Sequence, residues 1–84
     1  MHNIEWTEDA LKDLSSLDKQ IAKRIVNKLS WFAERFDDII PKPLSADFAG
    51  LYKFRIGDWR VIYSVEPNTI LILAIGHRKE IYKR

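Results

Sequence analysis

Leu51-Tyr-Lys-Phe-Arg-Ile-Gly-Asp-Trp-Arg-Val-Ile-Tyr63 is the stretch on which the fold turns. Two runs of aromatic and β-branched residues flank Gly57-Asp58, a two-residue signal of the kind that closes a β-hairpin. Side chains alternate across a strand, so Tyr52, Phe54 and Ile56 point one way while Lys53 and Arg55 point the other. A two-residue turn sets Ile56 opposite Trp59, Arg55 opposite Arg60 and Lys53 opposite Ile62. Lys53, Arg55 and Arg60 then converge on one side of the sheet. Like charges directly opposite one another are destabilising, so three gathered cations imply an anionic ligand.

Working outward, Glu66-Pro67-Asn68-Thr69 reads as a second turn, and Ile70-Leu-Ile-Leu-Ala-Ile75 as a strand covered on both faces, hence a central one. If Pro67-Asn68 is also a two-residue turn, Leu71, Leu73, Ile75 and His77 share the face of Lys53, Arg55, Arg60 and Ile62. The opposite face, carrying Tyr52, Phe54, Ile56, Trp59, Val61, Tyr63, Val65, Ile70, Ile72 and Ala74, is the one expected to receive the helices. A one-residue slip would exchange the two sets.

Upstream, His2-Asn-Ile-Glu-Trp6 alternates as a short strand. Thr7 is an N-cap candidate, with Glu8 and Asp9 in the first turn where the helix dipole favours anions. Ala10, Leu11, Leu14 and Leu17 follow at helical spacing, and Asp18 offers a second N-cap. Ile21, Ala22, Ile25, Val26, Leu29, Phe32, Ala33 and Phe36 make the apolar stripe of a longer helix. A side stripe of Arg24, Lys28, Trp31 and Arg35 either packs on the first helix or contacts a partner or RNA backbone. Residues 37–50 read as a connection, since Pro41 and Pro43 block helix continuation, with Ile39, Ile40 and Leu44 pinning it to the core. The order β-α-α-β-β-β predicts a single α+β domain over residues 1–84, an antiparallel meander with two N-terminal helices on one face.

Composition narrows the function classes. The 84 residues are 46% hydrophobic, ordinary for a globular chain and too apolar for a disordered one. There is no cysteine, hence no disulfide framework or thiolate metal site. No apolar run approaches a membrane span and the opening is no signal peptide, so a cytoplasmic protein without membrane partners is expected. The net charge of +2 is unevenly spread: residues 1–50 carry seven Lys/Arg against nine Asp/Glu, residues 51–84 seven against three. A polyanion should therefore meet the strand-rich half. Metal-ligand spacing, glycine-rich phosphate loops and a placed nucleophile triad are all missing, and no cofactor is expected.

What remains is a cationic face of Lys53, Arg55, Arg60, His77, Arg78 and the nearby Tyr82, interleaved with Ile62, Leu71, Leu73 and Ile75. Such a face suits RNA cleavage without a metal. The 2′-hydroxyl attacks the adjacent phosphate, charge builds on the phosphoryl oxygens, and fixed Arg and Lys donors stabilise it. An aromatic ring can hold a splayed base. One group must take the 2′-OH proton and another must protonate the leaving 5′-oxygen; Lys53 and His77 are the candidate bases, and Tyr82 can stack or donate a proton.

The run Leu51 to Tyr63, with Ile75-Gly-His-Arg-Lys-Glu-Ile-Tyr82 and the Trp6-Thr7-Glu8 opening, resembles the RelE/ParE superfamily of type II toxin–antitoxin toxins over nearly the whole chain. In RelE-type members a small α/β domain cuts translated mRNA in the ribosomal 30S A site. The resemblance implies basic catalytic roles for Lys53, Arg55, Arg60 and Arg78, with Tyr82 orienting a base. Lys53 and Arg60 would stabilise the phosphate transition state, and Arg78 would serve near the leaving group. It also implies that an antitoxin covers Ile62, Leu71, Leu73 and Ile75, and that DNA is reached only through that antitoxin. The sequence departs from the well-studied form at Arg55, where that form has a second lysine; arginine does not deprotonate at usable pH. The alternatives are a ParE-like inhibitor of DNA gyrase and an inactive, antitoxin-binding homologue. Arg60, Arg78 and Tyr82 together favour the RelE-like branch.

Overall fold

Two turns of opposite construction set the sheet. In the computed structural model, which describes residues 2–45 and 49–80, Gly57 takes a positive φ of 60° at the first position of the hairpin turn. That is glycine's place in a tight two-residue hairpin. At the second turn Pro67 comes first and Asn68 adopts φ 62°, a division of labour suited to proline's fixed φ and asparagine's tolerance of the left-handed region.

The elements follow as β1 (Asn3–Trp6), α1 (Glu8–Ser15), α2 (Lys19–Glu34), a 3₁₀ turn (Phe36–Asp38), β2 (Lys42–Pro43), β3 (Tyr52–Ile56), β4 (Trp59–Glu66) and β5 (Thr69–His77). They form one five-stranded sheet in the order β1-β5-β4-β3-β2. The α+β order and the antiparallel meander of β3, β4 and β5 are as expected; β5 lies inside the sheet, between β1 and β4, while the central strand is β4. Two details go beyond the sequence reading. β1 pairs with β5 in parallel, Ile4 beside Ile70 and Trp6 beside Ile72. The connection after α2 contributes β2, which pairs antiparallel with β3 and sets Lys42 opposite Lys53.

Both helix starts use the expected caps. Ala10 N donates to Thr7 Oγ1 at 3.1 Å, and Gln20 N to Asp18 Oδ2 at 3.1 Å. α1 lies on β5 and buries Ala10, while α2 buries Ile25, Leu29, Phe32 and Ala33. Phe32 centres the core: it stacks on Phe54 with ring centroids 4.1 Å apart and meets Phe36 and Tyr63 edge-on at 5.3 and 5.4 Å. Burial raises the Tyr63 phenol from 10.0 to about 12, with a smaller contribution from Tyr52. No helix among the described residues is long and apolar enough to cross a membrane.

The register of β4 against β5 changes what each face carries. The Glu66–Thr69 pairing confirms a two-residue turn at Pro67-Asn68, and Val65 opposes Ile70. Between Tyr63↔Ile72 and Ile62↔Ala74, however, β5 spends an extra residue, Leu73. A bulge of this kind reverses the in–out alternation beyond it. Ile75 therefore pairs with Val61 and is only 1% exposed, in the core rather than on the basic face. Ala74 takes its place opposite Ile62, and His77 pairs with Trp59, so the expected faces of Ile75, Ala74 and His77 are each exchanged. Ile39 packs on the core as expected, but Ile40 is 89% exposed and pins nothing. Val65, near the strand end, is also exposed.

Candidate functional site

The basic face is built by one hairpin. Arg55 and Arg60 are cross-strand partners, as the turn signal requires, and Lys53 stands opposite Ile62. Pairing two arginines is unfavourable in itself, and the turn backbone moderates it. The Gly57 carbonyl accepts from Arg55 Nε at 3.1 Å and from Arg60 Nη1 at 3.3 Å, and the Trp59 carbonyl accepts from Arg60 Nη1 at 3.2 Å. One carbonyl thus aims both guanidiniums while leaving other N–H groups available to an anion. Asp58 organises a third cation: its carbonyl accepts from Arg78 N at 2.8 Å, and its carboxylate lies 3.8 Å from Arg78 Nε.

A cleft of about 390 Å³ opens along the β3 edge. Lys42, Lys53, Arg55 and Arg60 supply its charge, and Ile39, Ile40, Pro41 and Phe54 its apolar wall. The charged members suit phosphate and the apolar ones a base or an alkyl side chain. Lys42 and Ile40 were missed as site residues because the two prolines marked residues 37–50 as a mere connection. The usable signal was there: each residue precedes a proline, which drives it into extended backbone able to pair as a strand.

His77 is not brought to this face. Its ring meets Trp59 edge-on with centroids 5.6 Å apart, on the side of the sheet that carries Ile56. Its Nδ1 accepts from Lys79 N at 3.3 Å, which in the neutral ring leaves the proton on Nε2. Tyr82 lies outside the described residues. Of the expected apolar members of the face, Ile62 and Leu71 are half-buried beside Lys53 and Ser64 respectively, and Leu73 sits in the bulge. Among the described residues no group of His, Cys, Asp and Glu is arranged to hold a metal ion.

The side stripe on α2 does not pack away. Trp31 is 42% exposed, and Lys28 Nζ and Arg35 Cζ lie 5.2 and 5.1 Å from its ring centroid.

With this geometry in hand, the family model described as the ParE toxin of type II toxin–antitoxin system, parDE, matches residues 4–82. The chain belongs to the RelE/ParE family of type II toxins. Toxin RelG of Mycobacterium tuberculosis is 31% identical to it over 85 residues, covering 99% of this chain and 98% of the relative. Toxin RelE of the same organism is 29% identical over 84 residues, covering 98% and 87%. Among solved structures, the toxin–antitoxin complex RelBE2 from Mycobacterium tuberculosis superposes with a TM-score of 0.82 at 27% identity, covering 94% of this chain and 93% of that one.

Proposed function

We propose that this RelE/ParE toxin is a ribosome-dependent endoribonuclease that cuts translated mRNA, and that a cognate antitoxin silences it by covering the basic sheet face. The observation that carries the reading is the convergence of Arg55 and Arg60 on one turn carbonyl, with Lys53 and Lys42 beside them along a single cleft. The 31% identity to a Rel-named toxin supports the same branch.

In the proposed reaction the 2′-oxygen forms a bond to the neighbouring phosphorus and the bond from phosphorus to the 5′-oxygen breaks. Arg55 and Arg60 hold the phosphoryl oxygens as their charge grows. The proton leaving the 2′-OH goes to Lys53, since arginine holds its protons too tightly to act as a base and His77 is on the other side of the sheet. Arg78, tethered at Asp58, stabilises charge on the departing 5′-oxygen, which takes its proton from water. Tyr82 keeps the base-orienting role that the family resemblance implies.

Silencing follows from composition of the same face. Ile62 and Leu71 give an antitoxin segment apolar ground between the cations, so one strip of polypeptide can block both substrate phosphate and substrate base. That RelBE2 is a toxin–antitoxin complex supports such a partner here.

The family description as a ParE toxin favours a second reading, inhibition of DNA gyrase. Induced expression followed by mapping of mRNA 5′ ends, with and without translation, separates the two. New 5′ ends that need translation are expected. Growth arrest with intact mRNA and accumulating gyrase–DNA cleavage complexes would establish the gyrase reading, and expression without growth arrest would mark an inactive homologue.

A further inference from the structure

α2 carries functional groups that the cleft does not use. A groove of about 450 Å³ runs along its outer side, lined by Gln20, Lys23, Arg24, Asn27, Lys28 and Trp31. The ionisable side chains lining it are all cationic. Glu34 offsets charge only at the far end, 3.5 Å from Arg35. At the near end the Arg24 guanidinium lies against the hairpin turn, 3.3 Å from where a Cβ on Gly57 would stand. The same turn carries the carbonyl that aims Arg55 and Arg60. The groove and the basic sheet face are thus continuous around Gly57, and Trp31 stands roughly 10 Å along the helix from Arg24.

Trp31, exposed and flanked by two cations, presents a ring face and positive charge side by side. An acidic peptide would satisfy Lys23, Arg24 and Lys28 but has no use for the indole face. Duplex RNA offers phosphates but hides its base faces within the stack. A single strand offers both, because every base has a free π-face and every linkage a phosphate. A base arriving on Trp31 replaces a cation–ring contact and releases that cation to the adjoining phosphate.

We propose that the α2 groove binds single-stranded RNA, with phosphates on Lys23, Arg24 and Lys28 and one base stacked on Trp31. This rests on the reading that the sheet face receives mRNA, and it gives that strand a second grip on a different element, joined to the first through Arg24.

The test is titration of the isolated chain with a short single-stranded RNA that is 2′-O-methylated throughout and so has no hydroxyl with which to be cut. Trp31→Ala should weaken binding roughly 5- to 150-fold, the range for loss of one stacked base, while Trp31→Phe retains most of it. Lys28→Ala should reduce the slope of log affinity against log salt by about 0.7, one phosphate's share on a single strand. Thermal melts of all three variants should match the parent, since both positions are exposed. Undiminished affinity in Trp31→Ala overturns the proposal. So does equal affinity for the methylated duplex, or equally effective competition by polyglutamate, which would assign the groove to an acidic protein segment. Cleavage of translated mRNA by the unsubstituted chain is scored separately, so failure of the probe to bind and failure to cut mRNA are distinct results.

Discussion

The Asp13 carboxylate accepts a hydrogen bond from the backbone nitrogen of Ile75 at 2.9 Å, across 62 positions of sequence. It does so beside the bulged residue of β5, where the strand ladder is locally interrupted, and Thr7 adds a second clasp by donating its hydroxyl to the Leu73 carbonyl at 3.3 Å. Two side chains of the α1 region therefore support the backbone at the point where β5 changes face. That change sends Ile75 into the core and His77 away from the cations.

Asp13→Ala should consequently destabilise the fold by about 1–3 kcal/mol, the cost of stranding a partly buried amide. Asp13→Asn keeps an acceptor oxygen and should lose less. Urea unfolding measures both, and hydrogen exchange at Ile75 should accelerate in the alanine variant. Unchanged exchange there would show that the carboxylate does not hold the bulge.

The same register makes a kinetic prediction. Arg60→Ala should lower mRNA cleavage by roughly 10²–10³-fold, as for loss of a transition-state donor, with little effect on stability. His77→Ala should leave the cleavage rate within a few-fold, because the imidazole is on the other side of the sheet. Single-turnover cleavage on programmed ribosomes distinguishes them. A large drop for His77→Ala would return His77 to the role of base.

Tyr63 predicts an alkaline limb. Its phenol titrates near 12 in the fold against 10.0 when free. The native state therefore keeps a proton that the unfolded chain gives up between those values, and stability falls as pH rises through that window. The contribution is fully present below pH 10 and amounts to roughly 2–3 kcal/mol. Tyr63→Phe cannot ionise, so its unfolding free energy should decline less between pH 10 and 12 than the parent's.

The basic hairpin was legible in the sequence because a two-residue turn makes cross-strand partners a matter of counting: Arg55 against Arg60 follows once Gly57-Asp58 is the turn. The helix caps at Thr7 and Asp18 were legible for a similar reason, since each satisfies donors within three residues. The faces of Ala74, Ile75 and His77 were not. They depend on a bulge, and the groups that support it, Asp13 and Thr7, belong to a distant segment. Lys42 was hidden differently. Its strand is only two residues long and one of them is Pro43, so no periodicity could reveal that Lys42 faces Lys53.

The β5 register also separates the proposed antitoxin surface from the core. Leu71 pairs with Ser64 and Glu5 on the sheet face away from Ile70 and Ile72, whereas Ile75 pairs with Val61 beneath the helices. Leu71→Arg should leave the toxin folded, with an unfolding midpoint near the parent's, while weakening the antitoxin complex, because a charge replaces apolar contact on the covered face. Ile75→Arg should instead unfold the chain, since a cation would be buried without a partner. Calorimetric titration with the co-expressed antitoxin, alongside thermal melts, reads both effects. Full antitoxin affinity in Leu71→Arg would place the partner on another surface of the toxin.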